Sequence, residues 1–151
     1  MKNKNFMEVS FKAQSVNESF ARVCVAAFCV QLNPSVDELG DIKTAVSEAV
    51  TNCVVHAYPK RDGLIKLRCE VDGDWVMVRV SDEGVGIKDI TKAREPFYTT
   101  RPSEERSGMG FAVMESFMDK VEVENNPSHG TVVTMYKQIR ANEEHVVGGN
   151  A

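Results

Sequence analysis

Residues Phe6 to Lys12 alternate apolar and polar side chains, the period of a half-buried strand, with Phe6 and Glu8 expected on opposite faces. The period then lengthens. Ser15-Val16-Asn17-Glu18 has the spacing of a capping box, and Phe20, Val23, Cys24, Ala27 and Phe28 follow at helical intervals, which predicts a helix from Ser15 that ends at Asn33-Pro34. Ser35-Val36-Asp37-Glu38 repeats the signature and opens a longer helix toward Ala57, with Ile42, Val46, Ala49, Val50, Cys53 and Ala57 as its apolar stripe. At about 100° per residue, Glu48, Asn52 and His56 line up one turn apart on a flank of that stripe.

After Pro59 and the turn at Asp62-Gly63, Leu64 to Val71 and Trp75 to Asp82 read as two strands joined at Asp72-Gly73-Asp74. On the second strand Val76, Val78 and Val80 share a face, and the strand period puts Asp82 on that face too. Arg79 and Ser81 point the other way, matching Lys66, Arg68 and Glu70 on the neighbouring strand, so this side of the sheet is expected to be solvated. The segment from Lys88 to Ser107 is charged, carries Pro96 and Pro102, and lacks sustained periodicity; its length fits a functional lid or a plain surface excursion. Phe111, Val113, Met114 and Phe117 predict a short helix, followed by strands near Lys120 to Glu124 and Thr131 to Lys137.

Length and charge narrow the class. The 151 residues suffice for one domain with a single core, expected over residues 1–140 with a frayed tail over 141–151. A net charge of −4 and a pI near 5.4 argue against a nucleic-acid footprint and for a protein partner or small ligand. No apolar run has membrane-spanning length and the N-terminal residues lack a signal-peptide pattern, so the expected compartment is the cytoplasm, with no membrane partner. Cys24, Cys29, Cys53 and Cys69 form no C-x-x-C pair and sit in apolar periodic segments, as buried reduced thiols do.

Candidate chemistry begins at Asp82. An ionised carboxylate on an apolar strand face costs several kcal/mol unless donors meet it. An exocyclic amine such as adenine N6 is one donor; backbone amides at the next turn are the alternative. Gly84 and Gly86, in Asp82-Glu83-Gly84-Val85-Gly86-Ile87, remove side chains that would keep a ligand from the backbone. Gly108-Met109-Gly110 opens a helix whose free N–H groups and positive end suit phosphate, although a plain helix entry has the same sequence. Asn52 offers an amide oxygen suited to Mg²⁺, and Glu48, one turn away, a carboxylate able to orient or deprotonate a hydroxyl. Walker A and protein-kinase glycine-loop motifs are absent from the sequence.

In this order, helix E-x-x-x-N, strand D-x-G-x-G, charged segment and G-x-G helix, the chain resembles the Bergerat-fold (GHKL) ATPases. The resemblance covers nearly all of it. Asn17-Glu18-Ser19-Phe20-Ala21-Arg22, Ser47 to Asn52 with His56, Pro96 to Pro102 and Glu105 to Phe111 are similar, more narrowly, to the sporulation anti-sigma-F family of serine kinases and sigma-factor inhibitors. The resemblance implies an α/β fold of the α+β kind, a two-layer sandwich with helices on one face of a mostly antiparallel mixed sheet. It implies ATP or ADP with Mg²⁺ as cofactors, Asn52 at the metal and Glu48 as catalytic base. Asp82 would face adenine, with Gly84, Gly86, Ile87, Thr99, Arg101, Ser107, Gly108, Met109, Gly110, Phe111 and Thr131 along the nucleotide. Arg101 stands where relatives often have lysine, and His56-Ala57-Tyr58 where His-Gly-Tyr is frequent. Arg22 is nominated for partner binding, and the family forms homodimers.

The expected function is therefore phosphorylation of a serine on an anti-anti-sigma factor, combined with sequestration of a sigma factor. A simple ATP hydrolase, a general-stress-type anti-sigma kinase and a binding module switched by nucleotide without kinase activity are the rivals. Sensor histidine kinases would need a helical segment with a phospho-acceptor histidine, which this sequence lacks.

Overall fold

The computed structural model describes residues 4–58, 62–85, 110–126 and 129–141. Five strands, β1 (Lys4–Lys12), β2 (Leu64–Asp72), β3 (Trp75–Asp82), β4 (Lys120–Asn125) and β5 (Thr131–Gln138), form one sheet in the order β1-β2-β3-β5-β4. All four pairings are antiparallel, so among the described residues the sheet has none of the parallel component that a mixed sheet implies. Among the described residues three helices, α1 (Val16–Cys29), α2 (Val36–Asn52) and α3 (Gly110–Phe117), lie over one face and complete the α+β two-layer sandwich. No helix among the described residues is long and apolar enough to cross a membrane.

Strand alternation set the sheet's two faces. Val76, Val78, Val80 and Asp82 are buried together under the helices, opposite Ile65, Leu67 and Cys69 of β2. The other face carries Arg79 and Ser81 across from Arg68 and Lys66. Phe6 and Glu8 are both on this open face, because residues two apart in a strand share a side; Met7, Val9 and Phe11 turn toward the helices.

The two capping signatures had different outcomes. At α2, Ser35 Oγ accepts from the Glu38 N–H at 3.0 Å and Glu38 Oε1 accepts from the Ser35 N–H at 3.0 Å, closing the box. At α1 the Ser15 side chain makes no cap, because Ser15 is already in helical geometry and Glu18 turns away to pair with Arg22 at 2.8 Å. Asn33, in the left-handed region at φ 50°, ends the 3₁₀ turn Val30–Leu32 that follows α1, and Pro34 follows it.

The stripe of α2 is buried as its spacing predicts, with Ala45 added. That of α1 is not. Its buried positions are Ala21, Val25 and Cys29, whereas Phe20, Val23 and Ala27 face outward. Both sets have helical spacing, and the smaller residues occupy the side that packs against the rest of the core. Cys29 and Cys69 lie buried with their sulfurs 4.0 Å apart, Cys53 is buried and Cys24 half-buried, all as free thiols.

Two polar ties close the core. Lys137, on the inward face of β5, donates to the Phe117 carbonyl at the end of α3 at 2.9 Å and pairs with Asp41 of α2 at 3.4 Å. Glu38 accepts from the Arg140 N–H at 2.7 Å and the Ala141 N–H at 3.3 Å, so the chain remains anchored through Ala141.

Candidate nucleotide site

The site starts where α2 ends. From Cys53 to Ala57 the helix widens into a π turn, which holds more residues per turn than an α-helix. The four-residue spacing that aligns Glu48 with Asn52 therefore no longer carries His56 onto the same line. The wider turn sets Cys53 against β3 and presents the Ala57 carbonyl, which accepts from the Val85 N–H at 3.0 Å.

Asp82 ends β3 and is only 4% exposed. Its Oδ1 accepts from the Gly84 N–H at 2.9 Å and the Thr131 N–H at 3.2 Å, while the donor that meets Oδ2 among the described residues is the Cys53 thiol at 3.5 Å. The backbone-amide alternative thus accounts for one oxygen. The other has a weak donor and further acceptor capacity. Burial pushes the Asp82 carboxyl above the ordinary carboxylate value, opposed by the Gly84, Cys53 and Thr131 donors and by His129. Burial, with the adjacent carboxylate, also pushes the Cys53 thiol well above its ordinary value.

Gly84 has a reason that its sequence context did not show. A Cβ there would land on the Ala57 carbonyl oxygen and within 2.8 Å of the Ala57 Cβ, so glycine lets the Asp-x-Gly turn cross the π turn. Gly130 and Tyr58 were missed altogether. Gly130 has φ +97°, and a Cβ on it would meet the Asp82 main-chain oxygen and lie 2.6 Å from Oδ1. The Tyr58 hydroxyl accepts from the Glu83 N–H at 2.7 Å and donates to the Leu64 carbonyl at 2.7 Å, pinning the same turn from below. A glycine just before Thr131 was the one available signal for the first; Tyr58 is visible only through contacts distant in sequence.

Asn52 closes α2. Its Nδ2 is buried and has no hydrogen-bond partner among the described residues, an uncommon state that calls for an explanation. Asn52 directly precedes Cys53, whose thiol meets Asp82, and half-buried Glu48 lies one helical turn back. An unsatisfied amide and an incompletely met carboxylate in one region of the fold fit a nucleotide with its metal: the amide oxygen is a hard donor suited to Mg²⁺ and its N–H group can meet a phosphate oxygen.

Gly110 opens α3 and Phe111, 8% exposed, is packed into the core. Thr131 is buried beside Asp82. Arg22 lies apart from this group: it donates to Glu18 at 2.8 Å, to Ser47 Oγ at 3.2 Å and to Ser19 Oγ at 3.2 Å. Thr51 Oγ1 donates to Glu18 at 3.4 Å, so neighbours of both Glu48 and Asn52 tie α2 to α1. Gly86, Ile87, Thr99, Arg101, Ser107, Gly108 and Met109, with the rest of the charged segment, lie outside the described residues.

Comparison with known proteins agrees with this arrangement. Residues 10–137 match the family described as Histidine kinase-like ATPase domain. An anti-sigma F factor of Thermoanaerobacter sp. (strain X514) is 53% identical over 139 residues, 92% of this chain and 97% of that protein. One from Caldanaerobacter subterraneus subsp. tengcongensis is 53% identical over 142 residues, 94% and 99% of the two chains. A third, from Pasteuria penetrans, is 50% identical over 146 residues, 95% and 97%. Among solved structures, the RsbU and RsbW domains of a Mycobacterium tuberculosis protein superpose with a TM-score of 0.64 at 17% identity, over 89% of this chain and 32% of that one. A blue-light activated histidine kinase of Erythrobacter litoralis superposes with a TM-score of 0.58 at 20% identity, over 81% and 42%. Fold, matched family and full-length similarity converge: the chain belongs to the histidine kinase-like ATPase domain family and, within it, to the anti-sigma F factors.

Proposed function

We propose that this protein is an ATP-dependent protein-serine kinase that phosphorylates an anti-anti-sigma partner and otherwise holds a sigma factor inactive. The observation that carries the reading is the pairing of Asp82 and Asn52. A buried carboxylate has one oxygen met only by a thiol, and a buried amide nitrogen has no partner among the described residues. Asn52 ends α2 at the π-turn junction, and Asp82 contacts Cys53, the first residue of that turn.

In this reading Asp82 Oδ2 accepts from the exocyclic amine of adenine, and the N–H groups of Gly84 and Thr131 keep the carboxylate oriented. The Asn52 amide oxygen would hold Mg²⁺, which would supply charge neutralisation on the triphosphate. Glu48 takes the proton of the attacking serine hydroxyl as its oxygen bonds to the γ-phosphorus and the bond to the ADP oxygen breaks. The turn that bears Asp82 is rigidly tied by Tyr58 and Ala57, so alignment of the nucleotide needs little reorganisation there.

The relatives' name indicates a sigma factor as one partner. α1 has the features of a protein-binding face: Arg22 lies on it, and Phe20 and Val23 are 44% and 63% exposed. A large apolar side chain exposed beside a charged anchor is a common interface element. A homodimer would place two such faces in one particle.

Incubation with labelled ATP, Mg²⁺ and a purified anti-anti-sigma protein tests the reading. Phosphoserine on the partner is expected; free phosphate alone would mark a hydrolase, and neither product a nucleotide-switched binding module. Glu48→Ala is expected to stop transfer while ATP still binds, and Asn52→Ala to remove the Mg²⁺ dependence of binding.

A further inference from the structure

We propose that Cys29 and Cys69 form an oxidisable pair: a small peroxide closes a disulfide between them and so joins the end of α1 covalently to the middle of β2. The pair uses none of the residues assigned to the nucleotide.

Packing brings the two thiols together from positions 40 residues apart in the chain. Cys29 is the last residue of α1, Cys69 lies on the inward face of β2, and their sulfurs are 4.0 Å apart with both side chains fully buried. A disulfide is about 2.0 Å long, so a gap of about 2 Å remains for rotation about the two Cα–Cβ bonds to close. The other two cysteines are placed differently. The Cys53 thiol meets Asp82, and Cys24 is half-buried on α1.

The two partners differ in freedom. Cys69 is held in mid-strand, paired with Met7 of β1 and Val78 of β3, and the Cys29 contact together with burial pushes its thiol up, which keeps it protonated. Cys29 ends a helix. The chain passes there into the 3₁₀ turn Val30–Leu32, and Val30 is already 55% exposed, so opening one helix end admits a molecule little larger than water. Cys29 is therefore the first to react.

Its thiolate attacks one oxygen of hydrogen peroxide, the O–O bond breaks, and the departing hydroxide takes up the released thiol proton as water. The Cys69 sulfur then attacks the resulting sulfenic acid at sulfur. The S–S bond forms, the S–O bond breaks, and the oxygen leaves as a second water with the Cys69 proton. Each sulfur gives up one electron, and the peroxide is reduced. The new bond ties to the sheet the helix that carries Arg22, Phe20 and Val23.

Reduced full-length protein exposed to graded hydrogen peroxide tests the pair: remaining thiols are alkylated in denaturant, and peptides are mapped by mass spectrometry without reduction. A peptide linked through Cys29 and Cys69 is expected, lost on reduction, with Cys24 and Cys53 alkylated. The melting temperature of the linked protein is expected to rise by roughly 5–15 °C and to return on reduction. Cys69→Ala removes the second thiol, so Cys29 should accumulate as sulfenic acid and be captured by dimedone. Four alkylatable thiols, at a peroxide dose that oxidises the urea-unfolded chain, overturn the proposal. A link made through Cys24, or between two molecules, does the same. A Cys29–Cys69 bond that lowers the melting temperature also overturns it, because the native packing then does not accept the bond. A Cys69→Ala protein without a dimedone adduct at Cys29 refutes the order of reaction.

Discussion

Replacing Asp82 with asparagine changes one atom and one charge while keeping the shape of the side chain. The asparagine oxygen can still accept from the Gly84 and Thr131 N–H groups, and its NH₂ takes the place of Oδ2 beside Cys53. Without nucleotide the substitution is expected to be mild. Burial raises the Asp82 carboxyl, so the native state holds this proton more tightly than the unfolded chain does. Its favourable contribution is present below the unfolded pKa and is lost as pH rises through the folded one. Near neutral pH the uncharged asparagine should therefore leave stability within about 1 kcal/mol of the parent or raise it. Nucleotide binding should respond differently. An adenine amine that meets NH₂ in place of a carboxylate loses a charge-assisted hydrogen bond, about 1.5–3 kcal/mol, or roughly 10- to 150-fold in Kd. Melting curves across the acidic to neutral range and ATP titrations of both proteins give the two readouts. Parental ATP affinity in Asp82→Asn refutes the base-reading role, and a large loss of melting temperature near neutral pH shows that the carboxylate serves the fold.

Other perturbations test the scaffold and the partner face. Glu38→Ala opens the α2 capping box and releases the Arg140 and Ala141 N–H groups, an expected loss of about 1–2 kcal/mol in urea unfolding. Burial raises the Glu38 carboxyl, but the Arg140, Ser35 and Ala141 N–H donors with the Ser35 hydroxyl outweigh it and leave the pKa lowered, so its stabilisation is present above the unfolded pKa and disappears as pH falls through the folded one. The gap between parent and Glu38→Ala should close in acid; a constant gap contradicts the assignment. Lys137→Met leaves the Phe117 carbonyl without this donor and Asp41 without this cation, for a loss of about 1–3 kcal/mol by denaturant unfolding. Parental stability would show the tie to be idle. Val23→Asp on the exposed side of α1 should change stability by less than about 0.5 kcal/mol. It should weaken sigma-factor capture in a pull-down while ATP affinity holds, and full retention of capture argues against the α1 face.

Much of the scaffold was legible because its signals are local. β3 runs from Trp75 to Asp82 as read, and α2 buries the stripe that its spacing marks, since backbone period alone decides which of its side chains share a face. The motif order from Glu48 to Phe111 likewise pointed to the family that the comparisons show. α1 was harder. Apolar residues occupy more than one of its sides, and a periodic pattern does not say which side a neighbouring helix will cover. The Ser15 capping box failed for a related reason: Glu18 had a partner in Arg22 and another across the helix pair in Thr51.

What the sequence determined by itself was the set of elements, the outlying carboxylate at the end of a valine strand, and the amide and acid one turn apart on a helix. Each follows from spacing along a regular backbone. What only the tertiary structure decided was how Asp82 is met: one oxygen by the N–H groups of Gly84 and Thr131, the other by the Cys53 thiol. It also decided why Gly84 and Gly130 must be glycine, because the atoms that exclude a Cβ belong to Ala57 and Asp82, which are remote in sequence. Such contacts come from the packing of a π turn against two strand ends, and no local period encodes that meeting.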